Sequence, residues 1–244
     1  MTLRAAVLFP LCLTLSTWSQ VTVSPLDQGP KKLREAWNSP TPGTSVEMKE
    51  FQRSKMGKVT VIAFRLVATG MPTEKKYDVW VWPTNKDPIR IDSNVQLDSA
   101  GTVLQSSDKQ PLSLSFMGIS KGEAERAALV SDDQQVVASA KVIPFPIEVT
   151  KGSCHIAVEQ ILLGQAFGVR GTGFAAGEEV AISCKCKKNQ VQTRVKADPQ
   201  GSWETVLAPV EPGKQSGTTP IEFVGRTCRL GLDLVWGKDA LKYE

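Results

Sequence analysis

The chain has 244 residues, of which 41% are hydrophobic, and its formal net charge is +4. A chain of this length can bury one large hydrophobic core or two ordinary ones. So slight an excess of positive charge does not indicate a polyanionic partner, and we therefore expect no nucleic acid ligand.

The first 19 residues have the pattern of a secretory signal peptide. One positive charge at Arg4 precedes an apolar run from Ala5 to Leu15, and small residues flank Trp18. This order predicts cleavage after Ser19 and export, which makes the mature protein secreted, periplasmic or located at the cell surface. No later stretch approaches the ~20 apolar residues that a membrane-spanning helix needs, so we expect no transmembrane segment.

Residues 20–44 have a loop-like composition and are predicted to form an extended amino-terminal arm. Four prolines interrupt the arm, around a short amphipathic stretch from Lys31 to Trp37. The first part of the arm has apolar residues in alternation, at Val21, Val23 and Leu26. Such a segment could add a strand to the sheet edge of a neighbouring molecule, so self-association through the arm is an open alternative.

One pattern occurs twice in the remainder of the chain. Ala63-Phe64 and Thr69-Gly70 recur with the same internal spacing as Ala166-Phe167 and Thr172-Gly173. Each copy continues into a strand-like stretch and later into an Asp-x-x-Gly turn. A period of about 100 residues is the size of a small domain, so the chain is predicted to contain two β-modules.

Composition places the boundaries of these modules. Alternating prolines at 143–147 oppose regular strand pairing, and we predict a linker at residues 143–153. The first module then covers residues 45–142 and the second covers 154–244. The shared glycines and aspartates suit tight turns. Calcium binding by Asp92, Asp98 or Asp198 is an alternative for which few further ligands lie nearby in the sequence.

The second module resembles a known family of repeats. The similarity is carried by residues 169–182, 195–203 and 217–219. They are similar to the immunoglobulin-like repeats of bacterial extracellular and surface proteins. The resemblance implies an all-β fold of two tandem immunoglobulin-like β-sandwiches, of the kind used as spacers, adhesion modules and accessory domains. The first module departs from the pattern at Met71-Pro72-Thr73, and it lacks cysteine.

Four cysteines remain after signal cleavage, all in the second module: Cys154, Cys184, Cys186 and Cys228. An even number in an exported chain predicts disulfides, and apolar alternation directs all four toward the core. Residues two apart on one strand are about 6.5–7 Å apart, so we do not expect Cys184 to pair with Cys186. Of the two remaining connectivities, we favour Cys184 with Cys228 and Cys154 with Cys186. A four-cysteine zinc site is the alternative, although Cys-x-Cys on a strand is poor zinc spacing.

The sequence does not mark a catalytic site. His155 is the only histidine, and no nucleophile motif accompanies it, so we expect no enzyme activity, no cofactor and no metal. A predicted hairpin carries a basic cluster that includes Lys185 and Lys187. We interpret this cluster either as a solvated face or as a contact for an anionic glycan or a lipid headgroup.

Trp80 and Trp82 are the strongest candidates for partner binding. Alignment of the two copies puts Tyr77, Val79 and Val81 at core-facing positions, so the two tryptophans face outward. Planar rings at alternate strand positions form a flat platform that suits a sugar ring or another protein. The alternatives are that the arm or the other module covers the rings, or that the first module buries both faces of its sheet.

Together these features predict an exported, non-enzymatic protein of two immunoglobulin-like modules that acts in surface or periplasmic interaction, adhesion or assembly. Its partner would be a protein or a cell-surface glycan. The second hypothesis is a carbohydrate-binding accessory module that uses Trp80 and Trp82. The third is a strand-exchanging subunit of an extracellular polymer.

Overall fold

The computed structural model describes residues 39–186, 189–211 and 213–244. The side chains at 185–186 and 189–191 lie outside this description. The predicted signal peptide, most of the predicted arm and the side chains of Lys185, Cys186 and Lys187 therefore fall outside the described residues. The expectations that concern them stay predictions.

Eight antiparallel strands form the first sandwich. They are β1 (Ser45–Met56), β2 (Val59–Thr69), β3 (Tyr77–Val81), β4 (Ile89–Leu97), β5 (Val103–Leu104), β6 (Ser113–Met117), β7 (Glu125–Ser131) and β8 (Val137–Val142). One sheet has the order β1-β2-β6, and the facing sheet has the order β5-β4-β3-β7-β8.

The second sandwich also has eight antiparallel strands. They are β9 (Ile147–Lys151), β10 (Cys154–Leu162), β11 (Ala166–Thr172), β12 (Glu179–Cys186), β13 (Asn189–Lys196), β14 (Trp203–Leu207), β15 (Ser216–Val224) and β16 (Arg229–Gly237). Its sheets have the orders β14-β11-β10-β9 and β13-β12-β15-β16. A short 3-10 helix follows at Lys238–Leu241. No helix in the described part of the chain is long and apolar enough to cross a membrane.

The two sandwiches share one strand order. The order β1-β2-β6 corresponds to β10-β11-β14, and β4-β3-β7-β8 corresponds to β13-β12-β15-β16. Only β5 and β9 stand outside this correspondence among the described strands. The predicted all-β fold of two sandwiches is confirmed, and the repeat in the sequence is a repeat of topology.

The segment predicted as a linker, 143–153, is only partly a connection. Residues 147–151 form β9, which pairs with β10 in the register Ile147↔Val158 to Lys151↔Cys154. The preceding residues, 143–146, carry no strand. The prolines at 144 and 146 thus lie just before the first paired residue, Ile147. This position suits them, because a proline nitrogen cannot donate a hydrogen bond to a neighbouring strand.

Alternation along the strands builds one main core in each sandwich. In the first, Phe64 and Tyr77 are at most 1% exposed. In the second, Phe167 and Trp236 are fully buried, and Trp203 is 4% exposed. Trp203 and Trp236 both belong to the second core.

The repeated Thr-Gly pair ends the same strand in each copy. Gly70 and Gly173 have φ angles of 69° and 77°. A Cβ atom at Gly70 would lie 2.0 Å from the carbonyl oxygen of Gly43, and one at Gly173 would lie 1.8 Å from that of Ser153. Both the left-handed backbone and the close approach of another chain segment therefore require glycine.

Candidate functional site

The predicted tryptophan platform lies on the sheet of β3, on the face away from the main core. Tyr77 and Val79 belong to the main core, whereas Trp80 and Trp82 belong to a separate apolar group. The predicted direction of the two side chains is therefore confirmed. Trp82 is only 4% exposed, which agrees with the alternative that the rings on this face are covered. Its indole Nε1 donates to the carbonyl oxygen of Lys86 at 3.0 Å, in the turn that follows β3.

Trp80 is half-buried, and its ring is not an open surface. The Arg90 guanidinium carbon lies 5.9 Å from the ring centroid, a cation–π distance. Arg90 is held from the other side by Asp78, with Nη1 to Oδ2 at 3.1 Å. A sugar that stacked on Trp80 would have to displace this ion pair or approach the other face of the ring. The geometry does not favour the carbohydrate-binding hypothesis.

We call the separate apolar group the outer cluster. Its members are Trp82, Ala128, Val130 and Val137, with Trp80 packed against them. All four residues from Ala127 to Val130 are at most 5% exposed, so β7 is buried on both faces. A continuous apolar run in a strand is the pattern of burial on both faces, whereas alternation indicates one wet face. The run at 127–130 was thus the sequence signal that the outward face near the tryptophans is covered.

The described disulfide joins Cys154 to Cys228, with a Cα–Cα distance of 6.3 Å. Cys154 begins β10 and Cys228 directly precedes β16, so the bond links the two sheets at one end of the second sandwich. The favoured pairings of Cys184 with Cys228 and of Cys154 with Cys186 are wrong, because Cys154 and Cys228 are bonded to each other. Apolar alternation along a strand predicted that the cysteine side chains point toward the core. It did not predict how far along the sandwich axis each cysteine lies. Cys184 is half-buried and packs against the second core.

A buried carboxylate supports the loop beside this disulfide. Glu178 is 2% exposed, and its Oε2 accepts the backbone N–H of Ala175 at 2.8 Å. Its Oε1 accepts the backbone N–H of Arg226, two residues before Cys228. Burial alone would raise the pKa of Glu178, but these backbone hydrogen bonds outweigh it and lower the pKa. The residue is a structural anchor for the turn that presents Cys228.

His155 and possible metal ligands were the other candidates for chemistry. His155 faces outward, and its Nε2 lies 3.2 Å from Oε2 of Glu148 on the neighbouring strand β9. Both side chains are substantially exposed. In the parts of the chain that the structure describes, no three His, Cys, Asp or Glu residues are close enough together to hold a metal ion.

The aspartates considered for calcium hold their own loops. Oδ1 of Asp98 accepts the backbone N–H groups of Ala100 and Thr102, each at 2.8 Å, and Asp198 makes the equivalent bonds in the second copy. Asp92 accepts from the Ser106 hydroxyl at 2.6 Å. The hydrogen bonds from Ser106 outweigh burial and lower the pKa of Asp92. These carboxylates are therefore used within the fold as turn and loop anchors.

A polar arrangement lies at the junction between the sandwiches, and its centre is Gln160. This side chain is 1% exposed. Its Nε2 donates to the carbonyl oxygens of Lys121 at 2.8 Å and Ala240 at 3.3 Å, and its Oε1 accepts from the N–H of Gly164 at 2.6 Å. Its own backbone N–H donates to the carbonyl oxygen of Gly122 at 2.8 Å. One buried amide therefore ties β10 to the 120–122 turn of the first sandwich and to the carboxyl-terminal 3-10 helix.

Next to Gln160, Glu159 makes an ion cluster across the junction. Lys141 Nζ lies 2.6 Å from Oε2 of Glu159, and Arg126 Nη2 pairs with Oε1. The side chains of Arg126 and Glu159 are 15% and 16% exposed. Glu159 is the partner that both cations share, so the loss of Glu159 would remove both ion pairs of the cluster.

The last residues of the sequence return to the first sandwich. Tyr243 forms an isolated β-bridge with Ser120. Glu244 accepts the backbone N–H of Thr60 at 2.8 Å and donates its own N–H to the carbonyl oxygen of Ile119 at 3.2 Å. These bonds form a third link between the sandwiches, independent of Gln160 and of the ion cluster.

Glu125, at the start of β7, is a buried acid beside this junction. It is 5% exposed, and its Oε2 has no hydrogen-bond partner among the described residues. Burial, and then the charge of Glu123, raise the pKa of Glu125 from 4.5 to about 7; attraction to Arg126 and Lys86 offsets this only in part. The group is neutral below that pH and carries a buried charge above it.

A groove of about 540 Å³ opens where β8 approaches the outer face of the second sandwich. Its lining includes Ala157 and Gly168 together with Lys141, Arg170 and Glu204. The lining also includes larger apolar side chains such as Ile161 and Val206, and Arg170 pairs with Glu204 at 3.6 Å. The groove thus lies beside the ion pair of Lys141 and Glu159, which also line it.

No family model matches the chain, and no curated protein matches it. Among solved structures, the chain is similar to a tetra-tandem repeat from the extending region of a large adhesion protein, at 12% identity and a TM-score of 0.29. That match covers 79% of this chain and 49% of the other, so the chain spans about half the length of this neighbour.

Two further structures give similar values. One is a 1.5-MDa bacterial ice-binding adhesin, with 8% identity, a TM-score of 0.22, and coverage of 81% of this chain and 65% of the other. The other is the receptor tyrosine kinase Torso, with 11% identity, a TM-score of 0.21, and coverage of 81% and 75%. Likenesses this weak carry no argument about the function of this chain.

Proposed function

We propose that the protein is an exported, non-enzymatic interaction protein of the cell surface or periplasm, built of two immunoglobulin-like modules at a fixed angle. The junction is the observation that carries the proposal. Gln160, the ion cluster of Glu159 and the residues from Tyr243 onward tie the sandwiches together at three places. Modules joined only by a linker move relative to each other, whereas several separate ties restrict that motion.

Two other features support export and the immunoglobulin-like assignment. A disulfide such as Cys154–Cys228 persists in oxidising compartments and is rare in the cytosol. The shared arrangement, a three-strand order facing a four-strand order, is typical of immunoglobulin-related sandwiches. The partner would be a protein or a cell-surface glycan that contacts exposed strand faces of both modules.

The first experiment tests the rigidity that the proposal requires. Gln160→Ala removes the three side-chain hydrogen bonds at the centre of the junction, and we expect a broader interparticle distance distribution in small-angle X-ray scattering. The matched control is Glu204→Gln, whose side chain is 74% exposed in the wild type and which should scatter like the wild type. An unchanged distribution in the Gln160 variant would show that this amide does not hold the angle.

The second experiment tests the function. The purified full chain is incubated with cell envelopes of a host that exports it. The amount of chain that stays bound to the envelopes is measured as a function of the chain's concentration. We expect saturable retention that decreases in Gln160→Ala while both sandwiches stay folded by circular dichroism. Absence of saturable retention would overturn the interaction function, and equal retention of the variant would overturn the need for a fixed angle.

A further inference from the structure

Glu125 places a carboxyl group at one end of the first main core. The residue alternates along β7 with Ala127 and Leu129, which belong to that core, so the three side chains share one face of the strand. Opposite Glu125 on β8 lies Val142, a partly buried apolar residue. Oε2 of Glu125 is buried and has no hydrogen-bond partner among the described residues. A negative charge on this oxygen would therefore lack the hydrogen bonds that make a buried carboxylate tolerable.

The turn that leads into β7 is the part of the first sandwich that Gln160 holds. Gly122 in this turn accepts the backbone N–H of Gln160 at 2.8 Å and donates its own N–H to the carbonyl oxygen of Phe145 at 2.7 Å. The carbonyl oxygen of Lys121 accepts from the Gln160 side chain at 2.8 Å. Glu125 thus follows directly after the segment through which Gln160 ties the sandwiches together.

The residues on either side of Glu125 are engaged as well. Arg126 pairs with Glu159 of the second sandwich, and its Nη1 donates to the Thr84 hydroxyl at 3.2 Å. The same hydroxyl donates to the carbonyl oxygen of Ala124 at 3.0 Å. A movement at the start of β7 would therefore reach two ties of the junction, the one through Gln160 and the one through Glu159.

The charges near Glu125 make its ionisation unfavourable in this arrangement. Those that act on it are Glu123 of the preceding turn, Lys86 of the turn after β3 and Arg126 of β7. The other charged members of the junction are Lys141 of β8 and Glu159 of β10, which pair with each other. Burial, and then the charge of Glu123, raise the pKa of Glu125 to about 7. Oε2 of Glu123 also accepts the Ser120 N–H at 2.9 Å, so repulsion between the two acids acts on the turn itself.

We propose that the junction is a pH-sensitive switch, in which deprotonation of Glu125 opens the turn at residues 120–124 and frees the two sandwiches to move relative to each other. Opening admits water to the carboxylate and relieves the cost of its buried charge. Because the closed arrangement binds the proton more tightly, the open arrangement gains as pH rises from about 4.5, and the gain is complete above about pH 7. The proposal rests on the fixed angle proposed above and adds the condition that releases it.

Hydrogen exchange at the junction tests the release. The backbone N–H groups of Gly122 and Gln160 are compared between the wild type and Glu125→Gln at the same pH, so that the intrinsic pH dependence of exchange cancels. We expect nearly equal rates at about pH 4.5 and at least about tenfold faster exchange in the wild type at about pH 8.5. Glu204→Gln removes an exposed acid and should exchange like the wild type at both pH values. Equal rates in the wild type and Glu125→Gln at the higher pH would overturn the proposal.

Small-angle X-ray scattering separates a failure of the switch from a failure of the fixed angle. The wild type should give a narrow distance distribution at about pH 4.5 and a broader one at about pH 8.5. Glu125→Gln and Glu125→Met, two uncharged side chains of similar length, should stay narrow at both pH values. A wild-type distribution that is narrow throughout would overturn the switch and leave the fixed angle standing. Broad distributions in all three proteins at both pH values would overturn the fixed angle, and the switch with it.

Discussion

Replacement of Glu125 by glutamine should make the protein more stable at neutral and alkaline pH. The carboxyl group is buried at the start of β7, and its pKa is raised from 4.5 to about 7. An acid with a raised folded-state pKa binds its proton more tightly in the folded state than in the unfolded state. Folding stability therefore falls as pH rises from about 4.5, and the loss is complete above about pH 7.

The size of the effect follows from this shift. The difference between a pKa of 4.5 and one of about 7, at about 1.36 kcal/mol for each pH unit, corresponds to about 3 kcal/mol. Glutamine has nearly the same shape as the protonated acid and carries no charge. We therefore expect Glu125→Gln to gain about 3 kcal/mol over the wild type at pH 8 and to match it near pH 4.

Urea unfolding at pH 4, 6 and 8, followed by tryptophan fluorescence, measures this difference. The two sandwiches can unfold in separate transitions, so the transition assigned to the first sandwich is the one compared. Glu204→Gln removes an exposed acid and should leave the pH dependence unchanged. Parallel pH profiles of the wild type and Glu125→Gln would refute the argument, because they would show that Glu125 ionises as easily in the folded state as in the unfolded state.

Three further predictions concern the second sandwich. Cys154→Ser opens a disulfide between residues 74 apart and should lower the free energy of unfolding in urea by about 4 kcal/mol. The wild type with reductant should match the variant, and an unchanged free energy of unfolding would contradict this prediction. Gly173→Ala should lower the melting temperature far more than Gly152→Ala. Both glycines have positive φ, but only a Cβ atom at Gly173 would meet a carbonyl oxygen, at 1.8 Å. Equal decreases in melting temperature would show that the dihedral angle alone matters. Glu178→Ala should cost about 1–3 kcal/mol at pH 7, since it strands buried backbone N–H groups. That cost should shrink as pH falls below about 4.5, because the pKa of Glu178 is lowered in the folded state; a cost that does not change with pH would refute the role of the carboxylate charge.

The fold was largely predictable because its signals are local. The Thr-Gly pairs place a positive φ at Gly70 and Gly173, and the Asp-x-x-Gly turns place a capping carboxylate at Asp98 and Asp198. Such turn chemistry depends on a few adjacent residues and is visible in one sequence. The prolines at 144 and 146 led to the prediction of a linker, but they lie just before β9, which begins at Ile147. The strand inside the predicted linker was therefore missed.

The candidate sites were less predictable because they depend on contacts between distant segments. Alternation gave the direction of Trp82 but not its cover, which depends on what lies over the outer face. It likewise gave the phase of Cys154 and Cys228 but not that both lie at one end of the sandwich. No local pattern marked Gln160, whose partners are at residues 121, 164 and 240.

The all-β class and the repeated module could be predicted from the residues alone, because strand alternation and turn residues act over a few positions. The three-dimensional arrangement was needed to show which cysteines bond, which tryptophan is buried and how the two sandwiches are tied. Those outcomes depend on distances between residues far apart in the chain. Side-chain phase specifies a direction, whereas a bond or a buried contact also requires the right position in space.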